Sequence, residues 1–203
     1  MNLTKLFETQ KKLDECIIEE KGLQGQDLLD KKILALQVEL GELANEWRGF
    51  KFWSKDQEPR IKDYKQMKCK WCNGSGDDGT GVCPDCKSSG DVYKEYNPLL
   101  EEYVDCLHFI LSIGLELGMD EVADELDFEY AGRDIIDCFV DLNSDITDLY
   151  YIRENDDLNS YLHESLFSKF IRLGELLGFT WDEIEQAYFE KNAENHRRQE
   201  VGY

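Results

Sequence analysis

Leu3, Leu6, Phe7, Leu13, Ile17 and Ile18 recur largely at steps of three and four, the spacing of one helical face, and predict a first helix to about Glu20. Gly22 and Gly25 interrupt it. A second stripe, Leu29, Ile33, Leu36, Leu40, Leu43 and Trp47, predicts a long amphipathic helix ending near Gly49. From Lys51 to Tyr96 the periodicity disappears. Gly, Ser, Asp, Lys and four cysteines take over, a composition that cannot build an apolar core. Asn97 and Pro98 then read as an N-cap and a first helical position, ahead of Leu99, Leu100, Tyr103, Val104, Leu107, Ile110, Leu111 and Leu115 up to Gly118. Further helical patterns run over 134–153, 158–177 and 181–199, the last opened by Thr180 as N-cap, and Gly118–Gly132 reads as an irregular acidic connection. No strand pattern of comparable length and no fixed-period repeat is evident. The expected fold is all-α: a helical bundle made by 1–53 and 97–203, with a small insert, 54–96, between the second and third long helices.

Composition narrows the class. At 203 residues one dominant core is expected, and 41% hydrophobic with 12% aromatic residues excludes wholesale disorder. No apolar run approaches the roughly 18 residues of a membrane span. The opening MNLTKLFETQKKLDE lacks the continuous apolar stretch of a secretory signal, so the expected location is cytoplasmic. A formal charge of −21 argues against nucleic acid as the main ligand. The charge is also polarised: 101–164 holds 19 Asp or Glu against 2 Arg, while 48–70 holds 8 Lys or Arg against 3 acids.

The insert contains Cys69-Lys-Trp-Cys72 and Cys83-Pro-Asp-Cys86. Two CxxC knuckles supply four thiolates that can close a tetrahedron around Zn²⁺, with no open position for water, so the expected role of the metal is structural. A redox pair or disulfides are the alternatives, disfavoured in a cytosolic protein. CKWCNGSG and CPDCKSSG also resemble the cysteine-rich repeats of J-domain chaperones, although the second lacks one glycine and that function is not carried across. Cys16, Cys106 and Cys138 lie in helical patterns and read as ordinary buried or half-buried thiols.

Glu39 and Glu42 are three residues apart, about 60° around a helix axis, and can grip one cation together. Glu102 and Asp105 repeat the arrangement on the next long helix. Two such pairs facing each other across a bundle offer only oxygen ligands, which suits Mg²⁺ or Mn²⁺. Glu46 and Glu101 are further candidates. A di-iron carboxylate site competes, but that scheme wants two Glu-x-x-His elements, and only Asp105-x-x-His108 approaches one. At the C-terminus Lys191, Asn195 and Arg198 follow i, i+4, i+7 spacing and stack an ammonium, an amide and a guanidinium along one face, a row suited to phosphate.

ALQVELGELANEWRGFKFW, LLEEYVDCLHFILSIGLELG and FTWDEIEQAYFEKNAENHRRQEVGY together resemble the dimeric all-α dUTPases of bacteria and phages, relatives of the MazG-type nucleotide pyrophosphohydrolases. The resemblance implies a homodimer that hydrolyses dUTP, and dUDP as well, with Mg²⁺. It also assigns roles: Glu39, Glu42, Glu102 and Asp105 would hold two metal ions, and Lys191, Asn195, Arg198 and Tyr203 would contact phosphates. Lys51 and Trp53 would neighbour phosphate and base, Gln10 would contact uracil, and His108 could reach the nucleoside. Asp14 would join Gln10 in base recognition, although it stands where the family leads one to expect Asn. The cysteine insert has no counterpart in the shorter members. Two other readings stay open at this point: a related pyrophosphohydrolase acting on dCTP or a broader pool, and a regulatory protein whose zinc insert and basic strip bind a partner or nucleic acid.

Overall fold

The computed structural model describes residues 2–121, 134–152 and 156–202, with side chains left aside at 156 and 157. Six helices are present among these residues: α1 (Leu3–Lys21), α2 (Leu29–Trp47), α3 (Pro98–Glu116), α4 (Ile135–Ile152), α5 (Asp156–Leu176) and α6 (Trp181–Glu200). The heptad-like stripes anticipated these elements closely, because each helix buries one continuous apolar face. The caps follow the local chemistry. Asn2 accepts from the Lys5 N–H at the start of α1, Gly22 ends it in the left-handed conformation, and Thr180 with Glu183 forms a reciprocal capping box on α6. The expected irregular connection falls largely on 122–133, outside the described residues.

The chain divides into two compact units, Met1–Pro59 with Leu99–Tyr203, and Arg60–Pro98. In the first, Leu6, Phe7, Ile33, Leu36, Leu40, Leu43, Leu107, Leu111, Phe167 and Tyr188 share one buried core. Tyr103 is stacked 4.2 Å from Phe170 and donates to the Phe170 carbonyl, and Gly174 gives it room, since a Cβ there would lie 2.5 Å from its hydroxyl. Cys106 and Cys138 are buried and Cys16 half-buried. No described helix is long and apolar enough to cross a membrane.

The second unit adds elements that the sequence pattern did not signal. It contains an antiparallel pair, β1 (Asp63–Lys68) and β2 (Asp91–Tyr96), in register from Asp63 opposite Tyr96 to Lys68 opposite Asp91. Every residue of β1 is exposed, so the strand carries no apolar alternation by which a period of two could be seen. Between the strands lie the four cysteines, all buried, with Val92 packed against them.

Candidate active site

Helices α2 and α3 each contribute a carboxylate pair. Oxygens of Glu39, Glu42 and Glu102 lie within 4.8 Å of one another. Glu39 and Glu102 are only half-buried, yet the carboxyl of each is raised to about 7: burial is the largest cause, followed by the charges of Asp105 and Glu42. Such mutual repulsion on an all-oxygen donor set is what a hard divalent cation relieves, so the residues present fit Mg²⁺ or Mn²⁺. Asp105 belongs to the same electrostatic cluster but has a different partner. Its Oδ2 accepts from Lys191 Nζ at 2.5 Å, and the same ammonium reaches Glu101 Oε1 at 3.0 Å. Burial raises Asp105, against the opposing pull of Lys191 and Arg198. Glu101 thus enters the site as a partner of Lys191, not as an obvious member of the carboxylate pair.

Of the C-terminal row, Lys191 is committed to Asp105 and Glu101, Arg198 Nε donates to Glu194 at 3.3 Å, and Asn195 is half-buried on the same helix. Tyr203 lies outside the described residues. Lys51 extends its ammonium to within 3.5 Å of the Asn45 carbonyl at the end of α2, and Trp53 is 66% exposed, edge-on to both Phe50 and Phe52. The loop carrying them is tied by a residue that sequence reasoning passed over. Arg48 caps α2 with φ of 66°, is buried, and binds both the carbonyl and the carboxylate of Asp56. Its only sequence signal is a positive charge in an apolar-flanked turn.

A polar network drawn from α1, α2, α3 and α6 surrounds Gln10. Gln10 Nε2 donates to Asp14 at 2.7 Å, while its Oε1 accepts from His108 Nδ1 at 2.7 Å and from the Tyr188 hydroxyl at 3.0 Å. Asp14 is in turn held by Lys32 at 3.1 Å and by the Ser112 hydroxyl. Because the Asp14 carboxylate takes the amide N–H, the Gln10 oxygen must face His108, and His108 Nδ1 must carry the proton. The imidazole is neutral, pushed down to about 3 by burial and then by the Lys191 charge. Its Nε2 is therefore a bare acceptor, buried without a hydrogen-bond partner, on a ring stacked 4.3 Å from Tyr188. Lys32, Ser112 and Tyr188 were not foreseen, since no spacing along the chain connects four helices.

In the other unit, Cys69 and Cys83 sulfurs are 3.8 Å apart and those of Cys72 and Cys86 are 3.6 Å apart. A tetrahedron with Zn–S bonds of about 2.3 Å has edges of about 3.8 Å, so the cluster has the dimensions of a Cys₄ zinc site. The two knuckles repeat each other at an offset of 14 residues. Gly76 N–H donates to the Cys72 sulfur at 3.2 Å and Gly90 N–H to that of Cys86 at 3.3 Å. Ser75 and Ser89 bridge the carbonyls of Cys72 and Asp77, and of Cys86 and Asp91. Burial pushes the Cys72 thiol up, but the Gly76 N–H and the neighbouring thiols outweigh it and bring it to about 6, nearer the thiolate a metal needs.

A family model described as dUTPase matches residues 2–67 and 89–203. No curated protein and no solved structure matches the chain at a significant level.

Proposed function

The chain belongs to the dUTPase family, and from that premise we propose that it hydrolyses dUTP, and dUDP as well, to dUMP, with Mg²⁺ held by Glu39, Glu42, Glu102 and Asp105. The observation that carries this reading is the convergence of carboxylates from α2 and α3 beside Lys191 of α6. When bound, Mg²⁺ supplies neutralisation of the polyphosphate charge and a water molecule acidic enough to attack phosphorus. The chain's own residues do the rest. Lys191 and Arg198 offset charge on the phosphates, Asn195 adds an amide to the same row, and Lys51 and Trp53 sit on the braced loop where phosphate and base would be met. No residue need act as a covalent nucleophile.

Uracil selectivity follows from the direction of the Gln10 network. The bare His108 Nε2 complements a ring N–H, which uracil has at N3, whereas cytosine presents a lone pair there. A buried acceptor facing another acceptor supports discrimination of up to roughly 10⁴-fold, while the methyl of dTTP is excluded by volume at about 1–3 kcal/mol. The His108 geometry favours dUTP over the dCTP or broad-specificity reading. In the insert, Zn²⁺ on Cys69, Cys72, Cys83 and Cys86 would be structural, because four sulfurs leave no position for substrate. A homodimer is supported by exposed apolar pairs on two packed helices, Leu34 and Val38 on α2, Ile136 and Val140 on α4.

The test is kcat/KM for dUTP, dCTP, dTTP and the ribonucleotides with Mg²⁺. The expected order places dUTP first and dCTP last among the deoxynucleotides. Equal use of dUTP and dCTP, or a preference for dCTP, overturns the assignment of substrate.

A further inference from the structure

Lys191 is only 14% exposed and lies between two carboxylates, 2.5 Å from Asp105 and 3.0 Å from Glu101. Its positive charge draws the Glu39 and Glu102 carboxyls down against their crowding. Oxygens of Glu39, Glu42 and Glu102 lie within 4.8 Å of one another and form a compact cage by themselves, whereas the Asp105 Oδ2 is engaged by the Lys191 ammonium. A divalent cation bound to the Asp105 carboxylate and an ammonium in contact with the same group repel each other at short range, so the cation is held better there once the ammonium has left. Lysine is also the residue suited to moving away, as a point charge on a flexible four-carbon stem. Arg198, one to two turns further along α6, already has Glu194 as a partner.

We infer that Lys191 is a resident counter-ion for Asp105, holding the carboxylate in the absence of nucleotide and exchanging it for a second divalent cation when a polyphosphate arrives to take the ammonium. This rests on the metal-site reading of the preceding subsection and adds an order to it. A first cation enters the Glu39, Glu42 and Glu102 cage independently of nucleotide. The second cation and the phosphates enter together, because each releases the other's partner. Negative charge is then never left uncompensated at Asp105, whose burial would make that costly.

The test counts Mn²⁺ bound to the full zinc-loaded chain by the loss of the free-ion electron paramagnetic resonance signal, with no phosphate present. Wild type should take up one Mn²⁺ per chain. Lys191→Met should take up two, or bind the second at least 10-fold more tightly than wild type does. Arg198→Gln removes a positive charge that also acts on Asp105, and should stay at one. Asp105→Asn should leave the affinity of the first ion within 10-fold of wild type, an arm that needs no folded Lys191 variant. Two ions in wild type with the affinity seen in Lys191→Met, equal gains in Lys191→Met and Arg198→Gln, or a loss beyond 10-fold in Asp105→Asn each overturn the exchange and leave the metal site standing. No Mn²⁺ uptake by any of the four proteins removes the metal site itself.

Discussion

Gln10 is oriented by a residue that the substrate need never touch. With Asp14 as acceptor on one side, its amide has a single choice of direction, and that choice reaches through to His108. Gln10→Ala removes the acceptor for His108 Nδ1 and leaves the Tyr188 hydroxyl to the Leu6 carbonyl, so the imidazole is free to take either tautomer. The dUTP to dCTP preference should fall at least 10-fold while the Mg²⁺ requirement is unchanged; an unaltered ratio of kcat/KM would contradict the relay. Glu42→Gln acts differently. It should reduce turnover by at least about 10²-fold, the scale of a lost electrostatic element, with helix content by circular dichroism unchanged because Glu42 is exposed and the apolar stripe intact. Glu42 stood out in the sequence by its residue type and helical phase, whereas Gln10 and the nucleoside role of His108 came only from the family resemblance. Their partners Asp14, Lys32, Ser112 and Glu101 were not recognised as such, because a hydrogen-bond direction is set by groups far apart in the chain.

At the level of elements, the helices were readable from the sequence and the strands were not. A helix that buries one face writes that face into its sequence every three or four residues, as Leu29, Ile33, Leu36 and Leu40 do. A hairpin exposed to water has no such need, and β1 reads as loop. The knuckles were legible from cysteine spacing, but their duplication in space shows in the hydrogen bonds. Gly74, at φ of 84°, is matched in the second half by Ser88 at φ of 74°, a left-handed position where a side chain is unfavourable. Ser88→Gly should therefore stabilise the insert by about 0.5–1 kcal/mol, read as slower zinc loss to a chromophoric chelator. Gly90→Ala should do the reverse, since its Cβ would collide with the Gly74 carbonyl oxygen. Elemental analysis should find one zinc per chain, absent from a Cys69→Ser/Cys83→Ser double variant; zinc retained by that variant would place the metal elsewhere.

For the molecule as a whole, a chain of net charge −21 concentrates part of its repulsion at the carboxylate cluster of α2 and α3. Glu39 and Glu102 hold their protons to about 7 when folded, against an ordinary value of 4.5. The unfolded chain gives up those protons first, so this contribution to stability is present below about pH 4.5 and is lost as pH rises towards 7. In magnesium-free buffer the melting temperature should accordingly decline over that window. Added Mg²⁺ should raise it more at pH 8 than at pH 5.5, and an equal rise at both would show that the carboxylates are not the ion's ligands. The antiparallel ribbon has a different consequence. Because Asp63 pairs with Tyr96, the chain departs for the insert and comes back at neighbouring points, and the family match passes over 68–88, the span that carries all four cysteines. The insert is thus a cassette closed at its neck by its own ladder. Replacing 69–90 with a two-residue turn would preserve the neck, and the distance from α2 to α3 would be bridged as before.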